Sequence, residues 1–228
     1  MSQSNEMSSF LAELAGEATQ KLEAQRTQQQ DQHEKNQSVN AALDRTFQFF
    51  NLFAKHLNAI EPDVARIYAL DGKTQFSRLK WKKGMVDARK QSLADSALLD
   101  HVFFQVRLDA PEPVTVTRRW EQYEDAKKDI EAFGLKPMAD MHDLWRNRSQ
   151  KANFQVNLEP AIMVRMHFQG NYADGSVNLE CNNLDGFGEV KTRLKPEQLQ
   201  PSVFDGIGRF LMGRSNSLPQ ELGLARCF

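Results

Sequence analysis

Between Val39 and Ile60 the apolar residues Leu43, Phe47, Phe50, Ala54, Leu57 and Ile60 recur at steps of three and four, which places them on one face of an α-helix. Phe49, Leu52 and Phe53 widen that stripe. The result is more aromatic surface than a solvated helix leaves in water, so this segment must pack on something. Upstream, residues 8–24 show the same periodicity in a narrower, alanine-rich form: Phe10, Leu11, Leu14, Ala15, Ala18 and Leu22 share one side, and Ser8 or Ser9 can cap the start. Between the two lies Gln25–Ser38, which contains no apolar residue and neither glycine nor proline. With nothing to bury and nothing to break it, this waist reads as a solvated helix in preference to a flexible connector. The sum is one long helix, or a broken pair, with apolar patches at both ends.

Glu61-Pro62 ends the helical region, because proline disfavours helical backbone at the residue before it. Arg66–Leu70 and Gln75–Trp81 read as a hairpin, with Asp71-Gly72 supplying the positive φ of a tight turn. From Lys82 to Leu99 the pattern fits either a strand followed by a turn or a short helix. Strict alternation begins at Val102, Phe104, Val106 and Leu108, and Pro111 and Pro113 bracket a turn into a second antiparallel strand, Val114–Thr117. Trp120, Tyr123, Lys127, Ile130 and Phe133 return to helical spacing, with Gly134 as the C-terminal cap, and Pro137 opens a second short helix carrying Met138, Met141, Leu144 and Trp145.

Alternating sets then follow at Phe154–Leu158, Ile162–Phe168, Val177–Cys181 and Val190–Leu194, joined by the turn chemistry of Glu159-Pro160, Ala173-Asp174-Gly175 and Leu184-Asp185-Gly186. Val203, Phe204, Ile207, Phe210 and Leu211 form a last amphipathic helix, where Gly206 and Gly208 permit close approach to the sheet. The predicted architecture is α+β: a long N-terminal helical arm (1–61), an antiparallel sheet domain (62–214) with an inserted helix pair and the C-terminal helix packed on its sheet, and a loosely held tail (215–228). A sheet that grips a helix in this way can also enclose a small apolar ligand.

Composition narrows the function classes. With 29 basic and 30 acidic residues, the chain has no net field to attract nucleic acid or an anionic membrane, so such binding has to be local. Two cysteines, Cys181 and Cys227, are too few for a disulfide framework and have no zinc spacing. No window is apolar enough to span a membrane and the N-terminus lacks a secretory signal, so the expected location is cytoplasmic.

Local charge is less even. All three tryptophans have basic neighbours, and Arg78, Lys80, Lys82, Lys83, Arg89 and Lys90 face only Asp87 over that stretch. With Trp81 and with Arg118 and Arg119 beside Trp120, they make a candidate nucleic-acid or polyanion surface, in which cations neutralise phosphates while a ring stacks on a base. The opposing reading turns each tryptophan inward and leaves its neighbours in water, as adjacent strand residues face opposite sides. A helix-turn-helix is disfavoured because Asp140 and Asp143 would repel phosphate. Asp140, His142 and Asp143 do not converge on a metal at helical spacing, and no phosphate loop, nucleophile elbow or zinc-protease motif occurs.

No cofactor is expected, and catalysis or small-ligand binding ranks third. The leading expectation is a non-catalytic adaptor or assembly subunit that binds a protein partner, or oligomerises, through Phe10, Leu11, Leu14, Ala18, Leu22, Phe47, Phe50 and Leu57. Polyanion binding is second.

Overall fold

One uninterrupted helix, α1 (Gln3–Ile60), runs through the arm, the polar waist and the Phe-rich segment. At 1.5 Å per residue it is about 87 Å long. The computed structural model describes residues 3–91, 98–146 and 152–224, with side chains described from Leu11 onward except that of residue 12. Within the waist, polar side chains one turn apart bond each other: Gln30 to Glu34 at 3.1 Å and Gln32 to Asn36 at 2.8 Å. The helix stops where Glu61 swings to a φ of 39° ahead of Pro62.

The strands follow as β1 (Asp63–Val64), β2 (Tyr68–Ala69), β3 (Gln75–Phe76), β4 (Leu79–Lys90), β5 (Leu99–Asp109) and β6 (Val114–Arg119). Two helices, α2 (Tyr123–Ala132) and α3 (Met141–Arg146), precede β7 (Asn153–Leu158), β8 (Ala161–Asn171), β9 (Ser176–Asn182), β10 (Glu189–Leu194) and α4 (Pro201–Leu211). Six strands form one curled antiparallel sheet in the order β1-β4-β5-β8-β9-β10. Residues 82–90, which the sequence left open between strand and helix, are strand; 92–97 lie outside the described residues.

The second half of α1 lies across one face of this sheet. Phe50 is fully buried, with its ring 4.8 Å from Phe104 and 5.8 Å from Phe168. Phe53 meets Trp81 edge-on at 5.7 Å. Phe50 and Leu57, proposed from sequence as partner contacts, are therefore core residues of this chain, and Phe47 is half-buried against the same core. The physical reason is that the alternate positions of β4, β5 and β8 supply an apolar face against which this helix packs. The second half of α1 thus shares one core with the strands that follow residue 61.

The terminal helix joins the sheet's core as expected, and only its glycines make their close approaches elsewhere. Phe204 packs on Phe49 and Phe50, and a Cβ on Gly208 would press against Phe53, so the close approach is to α1. Gly206 instead backs onto Pro219 of the tail. That tail is held through residue 224, because Leu222 is fully buried and Leu218 and Leu224 pack against the core. Residues 225–228, with Cys227, lie outside the described residues.

β6 and β7 continue the central β5–β8 ribbon past a kink. The pairing Asp109↔Ala161 gives way to Val114↔Leu158, with Pro111 and Pro113 on one side and Pro160 on the other. The bent ribbon carries α2 and α3 as a side lobe whose core includes Val116, Tyr123, Ile130, Phe154 and Val156. The β2–β3 turn also differs from expectation. Gly72 keeps an ordinary φ, and the turn closes because the Asp71 carboxylate accepts the N–H groups of Lys73 and Thr74 at 2.7 and 2.6 Å.

α1 is pinned to the rim of the sheet by Asn58. Its Oδ1 accepts from the Trp81 indole N–H at 2.8 Å and the Gly84 N–H at 2.6 Å, while its Nδ2 donates to the Gly84 carbonyl at 2.8 Å. The shift in β4 pairing between Trp81 and Lys83 lies within this clamp. A side chain on Gly84 would run into the Trp81 ring. Gly84→Ala is expected to lower unfolding free energy in urea by about 1–3 kcal/mol through overpacking, and Asn58→Ala by about 1–2 kcal/mol through unmade bonds. Asn51→Ala, on an exposed position of the same helix, should stay within about 0.5 kcal/mol.

Candidate functional site

Two surfaces remain once the core is assigned. The first is the free part of α1. The body holds the helix from Gln32, which donates to the Tyr172 carbonyl at 2.8 Å, through Asn40, which accepts the Leu99 N–H at 2.8 Å. Gly170 lets Val39 and Leu43 lie against β8, and Gly175 makes room for Lys35. Every described side chain from Leu11 to Asp31 is exposed. Leu11, Leu14 and Leu22 are 60 %, 43 % and 56 % accessible and share one side with Ala15 and Ala18. Phe10 belongs to the same periodicity, and its side chain lies outside the described residues.

The second surface is the basic face of β4. Arg78, Lys80, Lys82, Lys83, Arg89 and Lys90 are all exposed. Trp81 is not: it is fully buried and bonded to Asn58, so it cannot stack on a base. The bases around Trp81 thus follow the inward-ring reading. Arg118 is tied to Asp71 by an ion pair and leaves the set of free cations, whereas Arg119 is exposed on β6. Together with burial, which opposes it, the N–H groups of Lys73 and Thr74 and the Arg118 guanidinium hold the Asp71 carboxyl below its ordinary pKa.

The fold adds cations that local sequence did not single out. Arg107 sits directly opposite Lys83 on β5, and Arg165 lies opposite Gln105 one strand further on. Like charges directly opposed weaken a sheet, and here Asp109 offsets the pair by accepting from Arg107 at 2.6 Å. Only the cross-strand register brings these residues together.

On the same open face His101 and His167, far apart in sequence, have ring centroids 4.9 Å apart. Asp100 lies 2.8 Å from His101 Nδ1, and Glu180 is the cross-strand neighbour of His167. Burial and the charge on His101 push the His167 pKa down, against the opposing pull of Glu180 and Asp100. Among the described residues no group of three or more His, Cys, Asp or Glu side chains could hold a metal. Asp140 caps the start of α3, accepting the His142 N–H at 2.7 Å, and Asp143 pairs with Arg146 at 3.5 Å. The Cys181 thiol is buried and its pKa is pushed up to about 12, which leaves it a poor nucleophile.

A cleft of about 620 Å³ opens beside Trp120 and Phe154 in the side lobe, and among the described residues its lining includes Thr117, Asp140 and Asp143 but no histidine, lysine or cysteine. No described helix is both long and apolar enough to cross a membrane. No protein-family model, curated protein or solved structure matches the chain.

The histidine pair makes a pH prediction. A folded pKa below the ordinary 6.5 means that the unfolded chain takes up the proton first, so stability should fall as pH drops through that value. Thermal unfolding midpoints measured between about pH 7.5 and 5.5 should decline for the native chain. His167→Gln should decline less over the same window, and equal slopes would remove His167 as the cause.

Proposed function

We propose that the protein is a non-catalytic assembly subunit whose projecting helix carries a partner-binding face. The observation that carries this reading is the exposure of Leu11, Leu14 and Leu22 along one side of a helix that has already left its own core. Residues 3–31 extend about 43 Å from the point of anchorage. Isolated helices are marginal in water and gain most of their stability from packing an apolar face. A helix whose far half is clamped into a folded body has its nucleation cost met, so it presents this face already formed. The spacing of Leu11, Leu14, Ala18 and Leu22 suits side-by-side packing with another helix, from a protein partner or a second copy of this chain. Each leucine contributes on the order of 1.5–3 kcal/mol on full burial, and roughly half of that surface is still available.

A polyanion reading keeps one specific support, the exposed cations of β4 joined by Arg107 and Arg165. It has lost its stacking ring at Trp81.

The arm reading is tested in the full chain with Leu14→Glu combined with Leu22→Glu. Both positions are solvent-facing, so the thermal midpoint of the body should not move. Mass by light scattering, and recovery of partner proteins on the immobilised chain, should show association reduced by about tenfold or more, a loss of roughly 1.4 kcal/mol or greater. A monomer that recovers the same proteins with and without the substitutions would eliminate the arm as the binding face.

A further inference from the structure

β4 is a twelve-residue strand at the rim of the sheet, and β1 pairs with only its first two residues, Leu79 and Lys80. The Trp81 N–H still bonds the Pro62 carbonyl at 2.9 Å, and beyond it no described strand pairs with β4 on this side. At Gly84 both backbone groups bond to the Asn58 side chain, so they point away from β5. The β4–β5 register then runs unbroken from Lys83↔Arg107 to Arg89↔His101. Backbone direction alternates along a strand, so Val86 and Ala88 repeat the outward orientation of Gly84. The Ala88 N–H is taken by the Asp87 carboxylate at 2.9 Å. No described group takes the Val86 N–H or the carbonyls of Val86 and Ala88. The side chains of Val86 and Ala88 are half-buried against the core, so this rim is fixed and ready to pair.

Charge selects what can pair there. Lys82, Lys83, Arg89 and Lys90 surround the open stretch, with Asp87 the one acid among them. Lys82 has only a long contact to Glu61, at 3.9 Å. A second copy would bring the same cations against themselves, and lysines on an edge strand oppose that pairing. An acidic extended segment meets no such repulsion. Single-stranded nucleic acid would find the charge but no free ring, since Trp81 is buried beneath the strand.

We infer that the open rim of β4, centred on Val86, accepts an extended acidic segment of a partner protein as an added strand of the sheet. Main-chain bonds to Val86 and Ala88 hold the segment, and Lys83 and Arg89 recognise its carboxylates. This surface is separate from the leucine face of α1, so a subunit bearing both can join two partners.

The probe is a fluorescein-labelled peptide of alternating valine and glutamate, measured by fluorescence polarisation against the full chain. Saturable binding that weakens with added salt is expected. In such a peptide all valine N–H groups point to one edge and all glutamate N–H groups to the other. N-methylating one of the two sets should therefore reduce binding about tenfold or more, while methylating the other should leave it nearly unchanged. Val86→Pro, which removes one outward N–H from an edge strand, should cause a similar loss, as should Lys83→Glu combined with Arg89→Glu. Arg119→Glu, on β6, should have no effect. The methylated peptides act on the unaltered protein, so the result stands even if Val86→Pro fails to fold. Absence of saturable binding overturns the inference, as does equal binding of both methylated peptides. Tighter binding of a single-stranded oligothymidylate of matched charge would overturn it in favour of a polyanion surface.

Discussion

The burial of Phe50 between α1 and the sheet is the contact on which the rest of this structure depends. Its ring touches Phe49, Phe53, Phe104, Phe168 and Phe204, so helix, sheet and C-terminal helix meet at one side chain. Without α1 the inward positions of β4, β5 and β8 would face water, and the terminal helix would lose the surface it packs on. The strands have to curl around a cylinder, and the small residues at Gly84, Gly170 and Gly208 mark the places where backbone or ring must come closest to it. Apolar contact alone would let the helix slide along this face. The directional bonds of Asn58 to Trp81 and Gly84, and of Asn40 to Leu99, set its position along the axis.

Anchoring one half of a helix has consequences for the other half. Residues 32–60 are held by the body, so residues 3–31 extend a preformed helix into solvent and inherit its direction. A rigid projection limits the geometries in which a partner can bind, and it lowers the ordering cost of binding relative to a disordered tail. The polar waist serves two purposes in this arrangement. Its glutamines and acids keep the free helix solvated, and Gln32 in its middle makes the first bond to the body.

The sheet's two faces divide structure from surface chemistry. The inner face is committed to the core shared with α1 and α4. The outer face gathers Lys83, Arg107, Arg165, His101 and His167 from three strands, so its charge pattern is a product of register. The rim at β4 is different again, because its chemistry is that of backbone groups with basic side chains around them. The side lobe shows the same economy of construction: the β5–β8 ribbon bends at three prolines and continues as β6–β7, carrying two helices, and Asn183 after β9 ties the end of α2 back by donating to the Phe133 carbonyl at 2.8 Å.

The α+β class, the long helix, the strand sequence from Val102 onward and the inserted helix pair were all legible in the linear pattern, because hydrophobic periodicity is a local consequence of backbone geometry. Local chemistry also marked the exposed leucines of the arm and the cations of β4. What the pattern could not decide was partnership. Phe50 and Leu22 look alike as members of helical stripes, yet one is core and the other is surface, since that depends on which face of the sheet lies within reach. Trp81 reads as a buried ring or, as the rival, a stacking one until Asn58 and Gly84 are seen beside it. Arg107 joined Lys83, and His101 joined His167, through strand pairing between residues distant along the chain. Periodicity determined which residues share a side of each element; only the tertiary structure decided what each side meets, because burial and cross-strand register are properties of elements brought together and not of any one segment.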